Sequence, residues 1–135
     1  MNRLPGIIAA VETSGHLSLV DVDADGGRFT AAAVGTAENL GYLQPGKAVT
    51  LLFKETEVSL AKQLSGMISL RNRFPSRIKA LERGNILSKI TLDYHGREIV
   101  SVITTRSVQR LELKIGDAVE GLVKANEMTL MHGDR

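Results

Sequence analysis

The chain repeats itself. Shifted by 70 positions, residues 2–62 align with 72–132 without a gap, and 18 of the 61 aligned positions are identical. The identities begin at Asn2/Asn72, Arg3/Arg73 and Pro5/Pro75, pass through Ser18/Ser88 and Gly46/Gly116, and end at Lys54/Lys124, Glu57/Glu127 and Leu60/Leu130. Two copies of so long a period mean duplicated small domains rather than a stacked solenoid. The expected division is 1–66 and 67–135.

Each copy reads as short strands. Leu4–Thr13 is an apolar-rich run, and Leu17–Val22 continues as a second strand. Asp25-Gly26-Gly27 is a hairpin turn, with His95-Gly96 at the same place in the second copy. Phe29–Val34 and Ile99–Ile103 follow as strands, then the polar segments Thr36–Leu40 and Arg106–Leu111, each expected to form one or two helical turns. Turns at Gln44–Lys47 and Lys114–Asp117 lead into the strands Val49–Phe53 and Val119–Lys124. Val58–Leu60 and Met128–Met131 make a last short strand. The fold expected is all-β: two tandem five-stranded OB-like barrels, each with a short helix between its third and fourth strands. About 60 residues make a thin core, marginal alone. Pairing of copies or of chains would bury more surface and cover strand edges, so a homo-oligomer, a dimer or trimer of tandem barrels, is expected.

Composition excludes several classes of function. There is no cysteine among the 135 residues, hence no disulfide framework, thiolate chemistry or Cys-type zinc site. No apolar run has the ~18 residues of a membrane span, and Met1–Gly6 lacks the apolar core of a secretory signal, which makes the cytoplasm the expected compartment. His16 and His95 fall in turns and His132 in the tail, and none lies near a repeated serine or acid pattern that suggests a triad, so no enzyme is expected. Asp21, Asp23 and Asp25 alternate along a strand but lack the glycine and terminal glutamate of a calcium loop. OB barrels commonly bind nucleic acid through a basic groove and stacking rings. Here the aromatics are only Phe29, Tyr42, Phe53, Phe74 and Tyr94, no aromatic position repeats, and net charge is +2, so nucleic-acid binding is the alternative rather than the first reading.

Charge and hydrogen-bond donors gather in the second copy. Residues 1–66 carry five Lys/Arg against seven acids, and residues 67–135 carry twelve against eight. Ser69 and Arg71 stand at i, i+2, on one side of an extended segment. Thr104 and Ser107 stand three apart where a strand runs into a helical turn, and Lys124-Ala125 closes the last long strand. Hydroxyls, backbone N–H groups, a guanidinium and an ammonium are all donors, which suits a fully deprotonated anion. The first copy has Val34 for Thr104 and Ala37 for Ser107, has no counterpart of Ser69 and Arg71, and keeps only Lys54 for Lys124.

The stretches Ser69-Leu70-Arg71-Asn72, Val102–Ser107 and Leu122–Ala125 resemble the Mop, or TOBE-type, molybdate-binding domain. Residues 2–62 are similar to a second, diverged copy, so the whole resembles a tandem, di-Mop unit like the molybdate-binding part of the molybdate-responsive transcription regulator. The resemblance implies an OB-like barrel that binds molybdate or tungstate at interfaces between subunits, with no organic cofactor and no direct cation site. Carried over by motif, Ser69, Arg71, Thr104, Ser107 and Lys124 would be ligands, together with the backbone of Ala125, while Asn72 would shape the strand junction. No winged-helix DNA-binding domain and no ATPase motif occurs in the 135 residues, so DNA would be reached only through a separate domain. The resemblance therefore implies oxyanion storage, homeostasis or sensing. If the chain is a fragment, it implies the sensing or assembly module of a molybdate-dependent regulator or transporter.

Overall fold

The computed structural model describes residues 1–132. The first copy supplies β1 (Asn2–Ser14), β2 (Leu17–Ala24), β3 (Gly27–Val34), β4 (Ala48–Phe53) and β5 (Ser59–Ala61). The second supplies β6 (Asn72–Arg83), β7 (Leu87–Tyr94), β8 (Arg97–Thr104), β9 (Ala118–Val123) and β10 (Thr129–His132), with one helix, α1 (Thr105–Arg110), after β8. Short 3₁₀ turns, Glu55–Glu57 and Ala125–Glu127, follow β4 and β9.

The long first strand of each copy serves two neighbours. Residues 2–7 of β1 pair with β4 and residues 7–14 with β2, and the register slips between Ile8 and Ala10. β6 does the same with β9 and β7, slipping between Ile78 and Ala80. A bulge bends a strand and raises its twist, so one strand can curl a sheet around a core. The hairpin turns match the expected chemistry: Asp25-Gly26 and His95-Gly96 both have positive φ, at 47° and 81° and at 51° and 85°. Such turns carry the twist that joins β2 to β3 and β7 to β8.

The sheets do not follow the two halves of the sequence. One runs in the order β10-β4-β1-β2-β3 and the other β5-β9-β6-β7-β8. The last strand of each copy is thus exchanged. The compact units are Met1–Phe53 with the segment from Lys124 onward, called unit 1, and Lys54–Val123, called unit 2. The expected division at 66/67 marks the repeat, whereas the chain leaves unit 1 at Lys54 and returns to it at Lys124, the same position of both copies.

In unit 2, Val58 from the first copy is buried, and its carbonyl accepts from Ser101 Oγ at 2.6 Å. Lys62, just past β5, donates to the Glu112 carbonyl at 2.9 Å and pairs with Asp117 at 3.0 Å. In unit 1, Met128 is buried, and His132 stacks on Tyr42 with ring centroids 4.8 Å apart.

Within each unit alternate side chains point inward. Ser18, Val20, Val22 and Ala24 of β2 are buried, as are Ser88, Ile90, Leu92 and Tyr94 of β7. The two cores place their bulk differently. Unit 1 has Phe29 and Phe53 where unit 2 has Ile99 and Val123, and unit 2 has Phe74 and Tyr94 where unit 1 has Leu4 and Ala24. Phe74 and Tyr94 meet edge to face at 5.2 Å. Arg73 forks onto Glu120 across β6 and β9 at 2.7 and 2.6 Å, and these hydrogen bonds hold the Glu120 carboxyl below its ordinary range.

The short helix expected in each copy forms in the second only. Residues 36–40 make turns, and the reason is local. At the position of Thr104, whose side chain caps α1 by accepting from Ser107 N at 3.1 Å, the first copy has Val34, which has no cap to offer. At the position of Thr105 it has Gly35 with φ of 138°, outside helical space.

Strand exchange predicts a crossed effect of mutation. Val58→Ala deletes two buried methyl groups, a loss of roughly 1.5–3 kcal/mol with the cavity included. Native-state hydrogen exchange should quicken in β8 and β9 and stay unchanged in β1–β4, although Val58 belongs to the first copy. Quickening in β1–β4 instead would show that β5 stays with its own copy.

Candidate oxyanion site

The six predicted site residues are divided between the units. Ser69, Arg71, Thr104 and Ser107 belong to unit 2, and Lys124 and Ala125 to unit 1. Their side chains are exposed except at Ser107 and Ala125, which are half-buried.

Thr104 and Ser107 are brought together. The Thr104 hydroxyl donates to Ser107 Oγ at 2.9 Å and accepts from the Ser107 backbone N–H. That geometry leaves the Ser107 hydroxyl hydrogen free to point outward. Thr104 can donate to an anion by rotating its hydroxyl away from Ser107.

Ser69 and Arg71 lie on the segment between β5 and β6, and no hydrogen bond joins them to Thr104 or Ser107 among the described residues. Arg71 makes no ion pair there either, so its charge is not neutralised. Asn72 opens β6 opposite Val123 and is fully buried, a structural place that agrees with its expected role at the strand junction. Lys124 has extended backbone at the start of the 3₁₀ turn, and its carbonyl accepts from Glu127 N at 2.9 Å.

What holds Thr104 in place was not singled out by the sequence. Thr105 is buried beside it. Its hydroxyl donates to the Gly84 carbonyl at 2.8 Å and lies 2.8 Å from Ser88 Oγ, whose hydrogen is then directed at Thr105. The Thr105 backbone N–H donates to the Ile86 carbonyl at 2.7 Å. A run of buried hydroxyls ending on a carbonyl is self-reinforcing, and each lost partner leaves a buried polar group unsatisfied. The identity of Ser18 and Ser88 was the only sign in the sequence. In unit 1, Ser18 turns to Thr13 and to the Gly35 carbonyl, because Gly35 has no hydroxyl to offer.

The same bracing forms a cleft of about 320 Å³ lined by Asn85, Ile86, Thr104 and Arg106. A wider cleft of about 440 Å³ runs past Pro75, Ala118 and Val119, but it contains none of the predicted residues and its one charged group, Glu120, would repel an anion. Among the described residues no three His, Asp or Glu side chains are grouped to hold a metal ion, and no helix is long and apolar enough to cross a membrane. Phe29, Phe53, Phe74 and Tyr94 are buried in the two cores, so none is available to stack a base.

The profile of the TOBE domain matches twice, at residues 1–60 and 68–130, and the chain belongs to this family. It is 32% identical over 123 residues to the molybdenum import ATP-binding protein ModC of Brucella abortus, covering 90% of this chain and 32% of that protein. It is 31% identical over 114 residues to the molybdenum transport protein ModE of Herbaspirillum seropedicae, covering 78% of this chain and 42% of that one. The chain thus spans under half the length of these relatives. Among solved structures it is similar to the cytoplasmic molybdate-binding protein ModG with molybdate bound. There the TM-score is 0.90 at 29% identity, covering 96% of this chain and 94% of that one.

The buried hydroxyls carry a stability prediction. Thr105→Val keeps the shape but strips partners from Gly84 O and Ser88 Oγ, at a cost of about 1–3 kcal/mol. Thr105→Ser should retain most of the stability. Urea denaturation separates the two, and loss in Thr105→Ser with little in Thr105→Val would mean that packing of the methyl group, not hydrogen bonding, holds α1.

Proposed function

We propose that the chain is a non-enzymatic, cytoplasmic binder of a tetrahedral oxyanion, molybdate or tungstate, that works as a homo-oligomer. The observation that carries this is the Thr104–Ser107 hydroxyl pair, present in one copy only and set in a chain that matches a molybdate-bound structure along nearly its full length. The ligand set proposed is Ser69, Arg71, Thr104, Ser107, Lys124 and the backbone of Ala125. Each is a donor or a cation, none needs to lose a proton, and a fully deprotonated anion is what such a set prefers. A dianion partly stripped of water needs opposite charge, which Arg71 and Lys124 supply.

The described contacts join only two of these groups, so the set is completed when chains associate, with donors drawn from more than one of them. The first copy offers Val34 and Ala37 where the second has hydroxyls, so each chain contributes one full set. Storage or homeostasis is the role that suits a binder built of two TOBE domains. Service as the sensing or assembly part of a regulator or transporter is the alternative that the partial match to ModE and ModC supports. Nucleic-acid binding is disfavoured, since four of the five aromatic rings are in the cores.

Ligand binding to the folded state raises apparent stability. A thermal-shift scan should show a rise with molybdate or tungstate and none with a single-stranded oligonucleotide, and sulfate run alongside measures the selectivity among tetrahedral anions. Hydrogen bonds to a charged group are worth about 1.5–3 kcal/mol, so Arg71→Ala or Lys124→Ala should weaken molybdate binding roughly tenfold or more. A shift with the oligonucleotide alone would establish the other reading.

A further inference from the structure

The cleft beside Thr104 holds a cation outside the ligand set above. Arg106 lines it together with Asn85, Ile86 and Thr104, and no carboxylate does. Arg73, Lys62 and Lys79 are committed to Glu120, Asp117 and Glu98, whereas Arg106 is in no ion pair or hydrogen bond among the described residues. The walls are fixed rather than loose. Thr105 ties the Arg106 side to the opposite turn through Ile86 O at 2.7 Å and Gly84 O at 2.8 Å. Gly84 closes that turn onto Leu87 O at 3.0 Å, and a side chain there is excluded because a Cβ would stand 2.4 Å from the same oxygen.

The first copy supplies the comparison. At the positions of Asn85, Ile86, Thr104 and Arg106 it has Gly15, His16, Val34 and Thr36. The backbone bond is kept, Gly35 N to His16 O at 2.6 Å, while the amide, the capping hydroxyl and the guanidinium are absent. The scaffold of the cleft is therefore common to both copies, and its polar lining is not.

We infer that Arg106, with Asn85, belongs to the oxyanion site and grips the anion from the Thr104 side. The inference rests on the oxyanion reading above and adds two residues to its ligand set. A guanidinium presents a planar fork of N–H donors that can hold two oxygens of a tetrahedral oxyanion at once, and it keeps its charge at any working pH. The Asn85 amide adds a neutral donor on the facing turn, and the rigid brace spares the anion the cost of ordering either wall. Arg106 is thus a counter-charge carried by the same unit as the hydroxyl pair.

The test is calorimetric titration of the full chain with sodium molybdate at low ionic strength, on wild type, Arg106→Gln, Arg106→Lys and Arg110→Gln. Arg110 is the control, because it lies on the same short helix, is exposed and is outside the cleft. Arg106→Gln should bind roughly tenfold more weakly or worse, Arg106→Lys should fall between it and wild type, and Arg110→Gln should stay within about twofold of wild type. Wild-type binding with an unchanged Arg106→Gln protein overturns this inference and leaves the oxyanion reading standing. Equal losses in Arg106→Gln and Arg110→Gln also overturn it, since they would report net charge rather than contact. No heat with wild type, at protein and ligand concentrations near millimolar, overturns the oxyanion reading itself and this inference with it.

Discussion

Each curled sheet is one strand short until the other copy supplies it. β4 and β9 have free edges within their own copies, and β10 and β5 cover them crosswise. An uncovered edge offers unpaired N–H and C=O groups to any other chain, so covering it is a condition for a well-behaved small barrel. The rest of the fold depends on this exchange. It sets the boundaries of the compact units at 53/54 and 123/124, and it carries Lys54 and Lys124 to the two crossing points. It also buries Val58 and Met128 in the units their own copies do not build. Duplication in one chain makes the exchange intramolecular, which sharply reduces its entropic cost.

On this shared scaffold the two copies have diverged at one corner. In unit 2, Thr105 links the start of α1 to Gly84 and Ser88, Thr104 caps the helix, and Ser107 is brought within reach of Thr104. In unit 1 the same corner has Gly35 and Val34, the helix is replaced by turns, and the Thr104–Ser107 pair has no counterpart, since Val34 and Ala37 stand at its two positions. Cap, helix and donors are lost together because one threonine serves both as the cap and as half of the pair.

Much of this was legible in the sequence. The repeat located every strand, and the turn pairs Asp25-Gly26 and His95-Gly96 marked the hairpins because positive φ needs such residues. Thr104 and Ser107 were readable as a pair because a spacing of three at a helix start places a side-chain oxygen on a backbone N–H. The exchange was hidden by the repeat itself. Residues 58–60 and 128–130 share Leu60/Leu130 and otherwise differ conservatively, so either strand satisfies either sheet by pattern. The turns at 36–40 were missed because their composition suits a helix, and the decisive residues, Val34 and Gly35, lie just before it. The cleft that brings Asn85 and Arg106 beside Thr104 was hidden because it joins residues about twenty apart, a relation that only the fold creates.

The central claim is that one of the two TOBE copies bears the donors and the other preserves the scaffold. Its most direct measure is stoichiometry: native mass spectrometry of the assembled protein saturated with molybdate, read as anions per chain. One molybdate per chain is the result expected from a single donor set. Two per chain would mean that the first copy binds despite Val34 and Ala37, and none would mean that the hydroxyl pair is not an oxyanion site.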